Sequence, residues 1–234
     1  MKKIIFALLI SIMCTFMIAC GDINKFVEEY SGGSNKKAFE VSQIAYDNIN
    51  SAYEIVEQYG EDIYEAWRLG IYDKDQLLKD GIKYLASELS LSETELEEGA
   101  IYILITVSGE NWSECSDKEK NEYKKILDYS FTYMKDDLFS FCVEIVKGAY
   151  IANGKANEIE EALKEAKIQM KELSDKYSDY EHYPSIKEYY TTTNSFFDFC
   201  QNPTGSFEQV KTTINDYRNE ARGYINDLDY IFEE

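Results

Sequence analysis

The chain has 234 residues, and 44 acidic against 24 basic side chains give a formal net charge of −20. Such a surface repels phosphate backbones and anionic head groups, which argues against nucleic-acid binding and against a body lying flat on an acidic membrane. Hydrophobic residues at 44% and aromatic residues at 15% are too many for a disordered chain, and two prolines with 12 glycines leave room for long helices.

The first residues read as an address. Lys2 and Lys3 form a positive start, and Ile4 to Ala19 is an uncharged apolar run. As a helix this run spans roughly 24 Å. That is short of the ~30 Å hydrocarbon core, so a cleaved secretory signal fits better than a permanent span. Met17-Ile18-Ala19-Cys20 resembles the lipobox of bacterial lipoproteins, with Met17 where leucine is usual. The resemblance implies cleavage between Ala19 and Cys20, a diacylglyceryl group on the Cys20 thiol, and a mature protein held by lipid on the extracytoplasmic face of the cell membrane. Loss of residues 1–19 would leave 215 residues and remove Lys2 and Lys3 but no acidic residue, taking the net charge from −20 to −22.

Gly21 to Asn35 contains Ser31-Gly32-Gly33-Ser34 and reads as a flexible tether of about 22 Å r.m.s.. The expected organisation is therefore a signal peptide at 1–19, a lipidated cysteine and tether at 20–35, and a helical body at 36–234, with an internal boundary allowed near 109–116.

Within the body, Val41, Ala45, Ile49, Ala52, Val56, Tyr59, Ile63 and Ala66 recur at three and four, the spacing of one helical face. They predict a helix from Lys36 to Leu69, which Gly60 could interrupt and Gly70 should stop. A second helix is expected from Lys74 to Leu89, with Leu78, Ile82, Leu85 and Leu89 on one side. Ser92-Glu93-Thr94-Glu95 has the form of a capping box. It should open a helix through Leu96, Ala100, Leu104 and Val107. The run Ile101 to Val107 alone would suit a buried strand, but the acidic turn before it complements a helix N-terminus.

Ser116-Asp117-Lys118-Glu119 repeats the capping pattern and predicts the longest helix, to about Asn153. The next helix, Asn157 to Tyr180, carries heptad-spaced apolar residues. The short connection at Gly154 suggests that these two form an antiparallel hairpin. After Pro184 a shorter helix runs through Ile186 to Cys200, and a last one through Phe207 to Ile231. About seven helices make an all-α fold, an elongated multi-helix bundle with coiled-coil-like antiparallel hairpins.

Catalytic patterns are sparse. His182 is the only histidine, no Cys-x-x-Cys or phosphate-cradling glycine loop occurs, and Asp179-x-x-His182 lacks the partners of a di-iron bundle. No catalytic residue, metal ligand or cofactor is therefore assigned. Cys115, Cys142 and Cys200 are too irregular for a disulfide framework; Cys142 lies on an apolar stripe, and a Cys115–Cys200 bridge stays open. Tyrosine is abundant, with 20 residues, and Tyr189, Tyr190, Phe196, Phe197 and Phe199 surround one short helix. They form the candidate binding patch, the alternative being burial between neighbouring helices.

The expected function is that of a non-catalytic interaction or accessory protein at the cell envelope. Its expected partners are membrane lipid through acylated Cys20 and, given the charge, a basic protein. Two other readings are envelope protection, against phage entry or a toxin, and a wall-polymer enzyme using paired carboxylates.

Overall fold

The computed structural model describes residues 33–232. The expected signal peptide, Ala19, Cys20 and most of the tether lie outside the described residues. Nine helices follow one another there: α1 (Gly33–Tyr72), α2 (Lys74–Glu88), α3 (Glu93–Val107), α4 (Asp117–Lys124), α5 (Leu127–Tyr133), α6 (Leu138–Ala152), α7 (Lys155–Lys176), α8 (Tyr183–Gln201) and α9 (Phe207–Phe232). No strand occurs among the described residues. The fold is an all-α bundle.

The bundle is arranged around α1, whose 40 residues make a rod of about 60 Å. Helices α2, α6, α7, α8 and α9 all pack on it, so one apolar stripe is not enough. Ala45, Ile49, Ala52, Val56, Tyr59, Ile63 and Ala66 of the expected face are buried, as are Trp67 and Leu69, which extend it, and Tyr46 and Tyr53 beside it. Gly60 does not break the helix. A side chain there would meet the Phe196 ring, whose edge occupies that space.

Contacts along α1 fix the direction of its neighbours. Helix α9 runs antiparallel to it. Phe232 meets Phe39 and Tyr46, Arg222 and Arg218 pair with Glu57 and Glu61, and Phe207 stacks on Tyr64. Helix α8 runs parallel to α1, with the Tyr189 hydroxyl donating to Asn50 at 3.0 Å and Phe196 over Gly60. Together α8 and α9 form an antiparallel hairpin, closed by Phe196 and Phe199 against Tyr217.

The hairpin expected across Gly154 opens instead. Helix α6 starts against Gly70 and ends with Tyr150 stacked on Tyr59 at 4.0 Å. Helix α7 starts near Tyr59 and continues along α1. The two helices meet only near their junction because each finds a larger apolar partner in α1. Gly154 supplies the bend, at φ 88°.

The longest predicted helix is divided. Ser116 caps α4 as expected, its side chain accepting from the Glu119 amide, but the chain turns after Lys124 and again after Tyr133. The stripe over this region survives, with Leu127 and Phe131 buried on α5 over α2 and α3, and Leu138, Phe141 and Ile145 buried on α6 over α1 and α3. Periodicity fixed which residues face inward and could not see the turns between them. In α2, Gly81 has φ 47° and resets the helical phase, so Leu77 is buried and Leu78 exposed.

Helix α3 confirms the helical reading of Ile101 to Val107 and begins in the Ser92–Glu95 capping box. It crosses α6 with backbones nearly touching: a Cβ at Gly148 would stand 2.4 Å from the Gly99 carbonyl oxygen. Only a pair of glycines permits this approach.

Candidate binding surfaces

The aromatic residues singled out in the sequence belong to the core. Tyr189 and Phe196 are 0% exposed and Phe197 is buried, while Tyr190 and Phe199 are half-buried against the same core. Helix α8 is sandwiched between α1, α7 and α9, so rings on several of its faces find partners. Tyr189 touches the rings of Tyr46, Tyr53 and Tyr224. Burial pushes its phenol well above the ordinary range. Tyr189, Phe196 and Phe197 serve helix packing, the burial alternative for this helix, while Tyr190 and Phe199 keep part of their rings in solvent.

Exposed rings occur elsewhere. Tyr129 is 80% and Tyr133 is 87% exposed, one turn apart on α5, and Ile126 just before them lies on the same side. The opposite side of α5 is anchored by Leu127 and Phe131, the latter packed edge-on to Phe141 and against Gly81. This part of the bundle is built around the Gly70 end of α1, where α6 begins, and Val107 at the end of α3 is also exposed. Gly33, where α1 starts, is at the other end of the rod. Apolar rings this exposed gain nothing for the isolated fold.

Three clefts lie among the described residues. One of about 360 Å³ between α3 and α4 is occupied by its own side chains: Lys120 sits 3.6 Å from the centre of the Trp112 ring, and Lys124 pairs with Glu97. The other two adjoin at Lys147 and Asn202, which line both, and make a two-part groove along α6. Its first part, about 280 Å³, has Trp67, Phe139 and Val143 with Asn202, Pro203 and Thr204. Its second, about 400 Å³, has Tyr59, Ile151 and Ala156 with Asn157, Glu160 and Gln201. Lys147 pairs with Glu144 at 2.6 Å inside it.

Asp62 is a carboxylate sealed from solvent, 1% exposed. It accepts from the Ser90 amide at 2.9 Å, the Ser90 hydroxyl at 2.5 Å and the Tyr150 hydroxyl at 2.9 Å. Burial raises its pKa, and these hydrogen bonds oppose the rise without cancelling it. Asp62 lines none of the three clefts. Its geometry joins α1, α6 and the α2–α3 turn.

No protein-family model matches this chain, and neither a curated protein nor a solved structure is similar to it.

His182 caps α8, lies edge-on to Tyr180 at 5.3 Å, and has its pKa lowered by burial. No group of three or more His, Cys, Asp or Glu side chains is placed to hold a metal among the described residues. Cys115, Cys142 and Cys200 are free, and Cys200 is fully buried beside Gly60. No described helix is long and apolar enough to cross a membrane. Sequence reasoning missed Tyr129 and Tyr133, although both stood off the stripe of Leu127, Phe131 and Met134. An aromatic residue off the apolar stripe was the available signal.

Proposed function

We propose that this chain is a lipid-anchored extracytoplasmic protein of the cell envelope that acts by binding a protein partner rather than by catalysis. The single observation that carries the binding role is the exposed pair Tyr129 and Tyr133 on α5. Amphipathic rings of this kind give large contact area at a low entropic cost and are enriched in protein interfaces. The anchor rests on the lipobox-like Met17-Ile18-Ala19-Cys20.

The two features suit each other spatially. Cys20 precedes Gly33 by thirteen positions, and α1 then carries the chain about 60 Å from its start to the end at which α5 is built. A partner would be met away from the lipid. Two acyl chains would hold the protein stably, at ~0.8 kcal/mol for each buried CH₂. The strongly acidic surface would speed the approach of a basic partner.

Metabolic labelling with a fatty acid tests the anchor: the native chain should incorporate label and Cys20→Ser should not. Co-purification from membranes tests the binding role. A partner retained by the native chain and lost from Tyr129→Ser/Tyr133→Ser supports it; a partner set unchanged by that double substitution contradicts it.

A further inference from the structure

We infer that the groove between α6 and the α8–α9 turn binds an extended peptide segment of a protein, with an apolar side chain at one end and a lysine or arginine at the other. The inference extends the binding role to a second surface and does not depend on α5.

The groove follows α6 from Ser140 to Ile151, about 17 Å, the length of about five residues of extended chain. Its two ends differ. At the Gly70 end, Trp67 and Phe139 lie 5.6 Å apart with near-parallel rings beside Val143, a floor for one apolar side chain. At the other end, Tyr59, Ile151 and Ala156 form an apolar trough whose lining also includes Glu160. A lysine or arginine suits that end, with its methylene stem in the trough and its charge toward the carboxylate.

The wall between the ends is polar. Gln201 and Asn202 contribute carboxamides, each with donors and an acceptor that match a peptide bond. Their side chains, and that of Asn157, make no hydrogen bond to another described residue, so they can serve a ligand without breaking the fold. The charge of Lys147 is already met by Glu144, so the middle of the groove is close to neutral, while Glu160 pairs with no cation among the described residues. The net charge of −20 adds a long-range attraction for a cationic segment.

The test uses the full chain in detergent with Trp112→Phe, so that emission reports Trp67 alone. The probes are acetylated, amidated pentapeptides with Leu, Ile or Phe at one end and Lys, Arg, Ala or Glu at the other, in both orders. Peptides ending in Lys or Arg should shift Trp67 emission saturably and bind at least about threefold tighter than those ending in Glu. Glu160→Lys should reverse that order. The inference is overturned if no peptide shifts the emission, or if the preference survives Glu160→Lys. A saturable shift by an N-acetylglucosamine oligomer but by no peptide would also overturn it.

Discussion

The hydroxyl of Tyr150 donates to the carboxylate of Asp62 at 2.9 Å, joining α6 to α1 across 88 positions of sequence. Both groups are buried, and the Tyr150 ring also stacks on Tyr59, the neighbour of Gly60 in α1. Removing a hydrogen bond to a buried charged group typically costs about 1.5–3 kcal/mol. Tyr150→Phe should therefore lower the unfolding free energy by about 2 kcal/mol in urea titrations, with the helix content of the native state preserved.

Asp62 also sets a pH dependence. Burial raises its folded pKa above the ordinary 3.8 despite the hydrogen bonds it accepts. A raised folded value means that its stabilising contribution is complete below the unfolded pKa and is lost as pH rises through the folded one. The stability of the native chain relative to Asp62→Asn should therefore fall as pH rises from about 4 toward neutrality. Equal slopes for the two proteins would show that Asp62 titrates as it does unfolded.

Glu95 has the opposite sign. Burial alone would raise its pKa, but the Ser92 amide and hydroxyl, Asn153 and Lys155 together draw it down to about 2. Its contribution is present above the unfolded value of 4.5 and lost as pH falls toward about 2. Ser92→Ala should cost about 1 kcal/mol at neutral pH through loss of the cap of α3. The difference from the native chain should narrow in acid.

Two glycine substitutions should part company. A Cβ at Gly148 meets the Gly99 carbonyl at 2.4 Å, so Gly148→Ala must separate α3 from α6 and should cost about 1–3 kcal/mol. Gly223 lies inside α9 with no atom near its missing Cβ, and Gly223→Ala should stabilise by about 0.5–1 kcal/mol. Thermal melts of the two variants read this contrast directly.

Much of the fold was legible because local rules and packing agreed. The Ser92 and Ser116 capping boxes both form, and the stripe of α1 is buried from Ala45 to Ala66. Gly81 and the turns after Lys124 and Tyr133 were not legible, since apolar periodicity continues through them while the backbone does not. The burial of Tyr189, Phe196 and Phe197 was not legible for a related reason. Composition places Tyr189 and Phe196 on one helix, but only the parallel packing of α8 on α1 shows that they are covered. The exposed rings, Tyr129 and Tyr133, were concealed inside a helix predicted to be continuous.

The surface variant should separate stability from binding. Tyr129 and Tyr133 project from the exposed side of α5, so Tyr129→Ser/Tyr133→Ser should change the unfolding free energy by no more than about 0.5 kcal/mol per site. A larger loss would mean that these rings support the fold.

The central claim is that an anchored body meets its partner through α5, and photo-crosslinking in cells from a reactive residue at Tyr133 tests it most directly. A discrete adduct should form from that position, be absent from an exposed control at Lys171 on α7, and disappear in Cys20→Ser. Adducts that are the same from both positions, or that persist unchanged without Cys20, would contradict the account.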